Sequence, residues 1–268
     1  LSSIFCGKGY IKMFKNDDEW HFNSGLLIVG CVIGMIFGVP IFLIYGFGVF
    51  IDPLTEALQA GRGEVSLALT IGLMGNLIAA PLIGILSDRF GSSRMVLIGV
   101  ICLSVTLASY SFIQNLTQLY LISLAMVLFA GGTGPMTYTK IVSAWFNKRR
   151  GLALGIVLAG MGIGAAIMPV LSQALIGEFG WRLAYRYLGL IVFVVSFLPL
   201  FLILKDRPPT EPARRNLENP EAIQPAAKNE EGYSVRASLK TSTFWFIAIG
   251  FFLIAVGNSG GLVHLSPM

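Results

Sequence analysis

The 268 residues carry a net charge of +5, yet only 12% are Asp, Glu, Lys or Arg, 55% are apolar and the mean hydropathy is +0.75. Soluble domains hold about 25% charged residues, so a water-soluble globular class is excluded, and the positive excess concerns membrane orientation rather than nucleic-acid binding. Three cysteines, Cys6, Cys31 and Cys102, are too few and too scattered for a disulfide framework or a metal site, and neither a metal nor a cofactor is expected.

Residues 1–23 are mixed and charged and read as a cytoplasmic N-terminal segment. The apolar run that follows them is 27 residues long, too long for the core of a cleaved signal peptide. A helix needs about 20 apolar residues to cross a hydrocarbon layer of about 30 Å. On that measure seven spans are predicted, at roughly 24–50, 65–86, 95–113, 117–139, 152–177, 187–204 and 243–265. With the N-terminus inside, inner segments hold sixteen of the nineteen Lys and Arg residues, and outer loops hold only Arg62, Arg182 and Arg186. That asymmetry is a positive-inside signal. Residues 205–242 break the apolar pattern with five prolines set among charges, and read as a flexible inner linker. The expected organisation is therefore a six-span half (24–204), the linker, and a seventh span (243–268) that begins a second half. The chain opens on Leu1 and ends at Met268 just past that span, which suggests a fragment, with Met13 as a possible start codon.

Two inner loops carry motifs. After the second span stand Gly84, Asp88, Arg89, Gly91 and Arg94. Their spacing resembles the G-x-x-x-D-R-x-G-x-[RK]-[RK] signature of the major facilitator superfamily, with the closing basic pair reduced to Arg94. After the fourth span, Trp145-Phe146-Asn147-Lys148-Arg149-Arg150-Gly151-Leu152-Ala153 runs on to Gly155 and Gly160. This is similar to the Y-F-x-K-R-R-x-L-A-x-G-x-A-x-x-G pattern of the monocarboxylate transporters, departing at Trp145 and Val157. The acidic, glycine- and tryptophan-rich motif of the animal branch is absent at Asp18-Glu19-Trp20-His21, which points towards a prokaryotic relative near the oxalate/formate exchangers and a bacterial inner membrane. The resemblance implies an all-α bundle of two six-helix halves, each built from inverted three-helix repeats, that rock about a midplane site; the superfamily is a standing example of that architecture. It also implies that Asp88 pairs with the second half on the inner side and holds the outward-facing state. The solute implied is a small organic anion, moved by proton symport or exchange.

Small residues lie on single faces of two spans. Gly30, Gly34 and Gly38 repeat every four residues in the first, with Tyr45 seven further on; Gly151, Gly155, Ala159, Gly162 and Ala166 follow three- and four-residue steps in the fifth. Such faces let helices approach closely in lipid. Polar side chains inside apolar spans mark a pathway by default, and the candidates are Tyr45, Asn76, Tyr138, Asn258 and His264. His264 is the one side chain in the spans that titrates near neutrality, so it is the candidate for proton coupling. Lys140 and Arg186 sit at span ends and are expected to snorkel to the interface. The competing classes fare worse. A seven-helix receptor would put the N-terminus outside, a retinal protein would need a lysine in the seventh span, an intramembrane enzyme would need clustered ligands, and a primary pump would need a phosphate-binding loop.

Overall fold

The computed structural model describes residues 22–146, 149–204, 241–246, 249, 250 and 253. The chain divides into two units, Leu1–Pro208 and Pro209–Met268. In the second unit, residues 242–246, 249, 250 and 253 are helical, within the expected seventh span. Asn258 and His264, Lys148 in the first unit, and nearly all of the two polar segments (1–23 and 205–242) lie outside the described residues.

In the first unit every regular element among the described residues is helical. Five continuous runs are long and apolar enough to cross a membrane: Gly25–Leu58, Arg62–Phe90, Ser92–Tyr110, Leu116–Trp145 and Arg150–Ile203. The last has 54 residues. At 1.5 Å per residue it would reach about 81 Å, far more than one bilayer. It is divided at Gly180, whose φ of 74° and ψ of 162° are not helical. Glycine has no Cβ and adopts such a backbone readily. One residue thus separates the fifth span from the sixth, where the sequence suggested an outer loop at 178–186, and Arg182 and Arg186 stand on the first two turns of the sixth helix. There Arg182 stacks over Trp181 at 4.2 Å and donates to Ile113 O, while Arg186 donates to Ser111 Oγ.

The other connections are also short, from one residue to five, so most spans exceed their predicted limits. Gly91, at φ 90°, links the second span to the third. The Asn115 side chain caps the fourth by accepting from the Gln118 N–H at 2.9 Å. At the N-terminal end of the second span, Glu64 accepts the Gly61 N–H at 2.8 Å, and Arg62 pairs with Asp52 at 2.5 Å.

Side-chain contacts give the direction of each span. The first and fifth run parallel, with Gly160 against Val32 and Gly164 against Ile36. The second and fourth run parallel too, with Gly75 against Leu124 and Gly84 against Met136. The third and sixth are antiparallel: Tyr110 stacks on Tyr185, and Gly189 lies against Ser104. Exchanging spans one, two and three for four, five and six maps each of these pairs onto another pair or onto itself. That is the relation expected of two inverted three-helix repeats. Hydroxyls within the spans mostly return to their own helix, as Ser104 Oγ does to Val100 O at 2.9 Å. Large apolar side chains such as Leu77, Ile78, Val170 and Leu202 project outward from the unit.

Candidate functional site

Two of the six spans are broken at mid-length, and the breaks touch. The first span leaves the α-helix after Ile36, passes Gly38 and Pro40, and resumes through a π-helical stretch, Ile41–Gly46. The fourth leaves it after Ala130, makes the tight turn Gly131–Thr133, and restarts at Pro135. Proline cannot donate a backbone hydrogen bond but suits the first turn of a helix, so each break ends where a proline stands. The two broken segments are joined by a bond from the Val39 N–H to Thr133 Oγ1 at 3.1 Å, and Thr133 Oγ1 itself donates to Ala130 O at 2.9 Å. A Cβ on Gly38 would stand 2.6 Å from Thr133 O, so the backbones meet there with no room for a side chain. The first and fourth spans are antiparallel at this point, with Gly34 against Tyr138 and Gly38 against Thr133. The half-helices that begin at Pro40 and Pro135 therefore leave the junction in opposite directions, and both present their N-terminal, partially positive ends to it.

Beside the junction is a pocket of about 160 Å³, whose lining includes Pro40, Ile44, Asn76, Gly131, Gly134 and Met136. Asn76 is the single polar side chain in its wall. The structure thus places Asn76 at the broken helices. Tyr45 follows the lining residue Ile44 but is 37% exposed, and it does not share the buried face of Gly34 and Gly38. The reason is the break and the π-helical turn between them, which shift the helical phase that the seven-residue spacing assumed. Tyr138 is fully buried in the seam between the first and fourth spans, its phenol against Gly34, away from the pocket. Its hydroxyl has no hydrogen-bond partner among the described residues.

The glycine faces behave differently from one another. Gly30 packs on Ile203, Gly34 on Tyr138 and Gly38 on Thr133. Around Gly151, Gly155 and Gly162 the described residues leave open space; the close approach of the fifth span to the first falls instead to Gly160 and Gly164 on the adjacent face. Residues three or four apart share a helical face, and two such faces existed on this span; spacing alone did not say which one is buried.

At the C-terminal end of the second span, its motif forms a charged seam with the fourth. Lys140 Nζ donates to Asp88 Oδ1 at 2.7 Å and to Ser87 Oγ at 2.9 Å, and reaches Gly84 O at 3.4 Å. Arg89 lies 5.6 Å over the Phe90 ring, Arg94 is exposed in the first turn of the third span, and Arg150 Nε donates to Ser143 Oγ at 2.8 Å. Arg149 precedes the fifth span as its N-terminal flanking residue. Reading Lys140 as a snorkelling cation missed its partner, because 52 residues separate it from Asp88 and nothing local announces the pair. The broken helices were also missed, although a signal was present: Gly38-Val39-Pro40 and Gly131-Gly132-Thr133-Gly134-Pro135 interrupt apolar spans at corresponding positions of the two repeats.

Helices broken at mid-length, a pocket beside the breaks and inverted pairing fit a membrane carrier architecture. Residues 26–268 match the family described as Major Facilitator Superfamily, and the chain belongs to that superfamily. It is an integral, multi-pass membrane protein. It is similar to monocarboxylate transporter 13 of Bos taurus, 30% identical over 172 residues that make up 63% of this chain and 37% of that protein. Monocarboxylate transporter 11 of Homo sapiens is 27% identical over 246 residues, 90% of this chain and 48% of the relative. The riboflavin transporter RibJ of Trypanosoma brucei brucei is 30% identical over 204 residues, 74% of this chain and 36% of the relative. The chain thus spans between about a third and a half of the length of these relatives. The superfamily expected from the two loop motifs is the one found.

Proposed function

We propose that this chain is the first half, with the start of the second, of a secondary carrier for a small organic anion of the monocarboxylate kind. The observation that carries the reading is the pocket at the paired helix breaks. In carriers of this architecture, discontinuous helices at the midplane bind the solute, and half-helix N-termini favour anionic groups. The pocket's volume of about 160 Å³ lies below the roughly 300–1,000 Å³ of sites for drug-sized ligands, which suits a solute of a few heavy atoms. Two relatives named as monocarboxylate transporters agree with that class. Asn76 is then the polar contact to solute from this half, with Ile44 and Met136 as apolar walls. Tyr45 and Tyr138 are assigned to the rim and to the helix seam.

Asp88 is the inner gate residue in this reading, and Gly84, Arg89, Gly91 and Arg94 shape its loop. Lys148, Arg149 and Arg150 anchor the inner loop after the fourth span. Transport is by proton symport or anion exchange, with His264 as the proton-coupling candidate and Asn258 as a further polar candidate of the expected seventh span. The sixteen-to-three distribution of Lys and Arg supports a cytoplasmic N-terminus, and the missing animal-branch motif at Asp18–His21 supports a bacterial inner membrane.

A second reading is a carrier for an unrelated small solute, favoured by a pocket wall that is apolar except for Asn76 and by the relative named as a riboflavin transporter. Uptake of labelled lactate, formate, oxalate and riboflavin by cells expressing the complete gene separates the two. Accumulation of an acid above empty-vector cells is expected, and Asn76→Leu is expected to raise its KM several-fold. Accumulation of riboflavin alone would establish the second reading.

A further inference from the structure

Lys140 sits inside the fourth span, five residues before its end at Trp145. A snorkelling lysine sends its ammonium to headgroups and water. Here the ammonium turns to the neighbouring helix instead, and its three N–H groups meet three acceptors: Asp88 Oδ1, Ser87 Oγ and Gly84 O. Ser87 completes the arrangement by donating to Gly84 O at 2.8 Å. All three acceptors lie on the last turns of the second span, which runs parallel to the fourth. The Lys140 side chain is 31% exposed, whereas that of Asp88 is 73% exposed. The lysine is therefore held in the seam while the carboxylate stands clear of it. An ionised carboxylate offers about four acceptor positions, and Lys140 takes one of them, on Oδ1. A further donor can still reach the group.

We propose that Lys140 is the positioning residue of the inner gate: it fixes the rotamer of the Asp88 carboxylate and so sets how far the inner-closed, outward-facing state is populated. The proposal rests on Asp88 being the gate residue. An exposed aspartate free to rotate would lose rotamer freedom each time the gate closed. With Lys140 bound, that loss has already occurred within the first half. The lysine and the second half then do not compete for Asp88; the lysine presents it. Exposed and half-exposed ion pairs of this kind alter an equilibrium by about two- to fivefold, which is the size of effect expected.

The test uses the full-length carrier in membranes, with Cys6, Cys31 and Cys102 replaced by Ala and Ile44→Cys introduced into the pocket wall on the outer side of the break. A membrane-impermeant maleimide added outside reads the outward-facing population as a labelling rate. Asp88→Asn is expected to lower that rate. Lys140→Gln is expected to lower it about two- to fivefold, Lys140→Arg to restore most of it, and the double variant to label no more slowly than Asp88→Asn alone. Native-rate labelling of Lys140→Gln, with Asp88→Asn slowed, would overturn the proposal and leave the gate reading standing. Additive slowing in the double variant would also overturn it, because Lys140 would then act without Asp88. Native-rate labelling of Asp88→Asn would remove the gate reading itself, and this proposal with it.

Discussion

The helix junction and the charged seam both join the fourth span to a neighbour, yet they are built from different materials. The junction is made of backbone: Gly38 against Thr133 O, and one N–H to hydroxyl bond between Val39 and Thr133. The seam is made of charge: one ammonium and the acceptors of one helical turn. In hydrocarbon an unpaired polar group has no water to turn to, so the mid-span junction relies on close backbone approach and on the bond from the Val39 N–H to Thr133 Oγ1. At the water interface ions remain solvated, and a lysine can hold an aspartate that still faces solvent. The first construction tolerates almost no added volume; the second tolerates exchange of side chains but responds to charge and salt.

The sharpest way to break this contrast is Gly38→Ala. Its methyl would have to displace backbone at 2.6 Å, and since overpacking costs about 1–3 kcal/mol, a loss near the upper end, about 3 kcal/mol, is expected in the unfolding midpoint of the purified carrier. Midpoints within error of the parent would mean that the two breaks separate readily. Next comes Thr133→Val, which keeps the shape and leaves the buried Val39 N–H unpaired; an orphaned buried donor costs about 1–3 kcal/mol, and Thr133→Ser should recover most of it. At Gly180, outside both regions, alanine has open space but a strained φ of 74°, so Gly180→Ala isolates backbone strain, about 1–3 kcal/mol, from packing. The smallest effect belongs to the seam. Lys140→Gln should change stability by less than about 1 kcal/mol, and its difference from the parent should shrink in 1 M salt, where the screening length falls to about 3 Å. A salt-independent difference would show that the lysine acts there through packing.

Much of the fold was legible from apolar length. The spans over 24–50 and 95–113 needed only composition to be recognised, and the turn at Gly91 followed from a glycine between two such runs. Span limits were less legible, because an extra turn of helix beyond the lipid adds little apolar signal: the fourth span was read to 139 and runs to Trp145. Asn76 was found as a polar residue in an apolar run and does line the pocket, whereas Tyr138 was found by the same rule and is packed away. The rule finds polarity in a span, but the partner helix decides which face is open.

The number of membrane-long spans in the first unit and its superfamily were determined by the sequence alone, because hydrophobic length and short motifs are properties of contiguous residues. Only the tertiary structure decided that Gly160 and Gly164 rather than Gly155 and Gly162 meet the first span, that the breaks at Pro40 and Pro135 share one pocket, and that Lys140 holds Asp88. Each depends on the rotational phase of one helix against another, and that phase is set by packing between residues tens of positions apart.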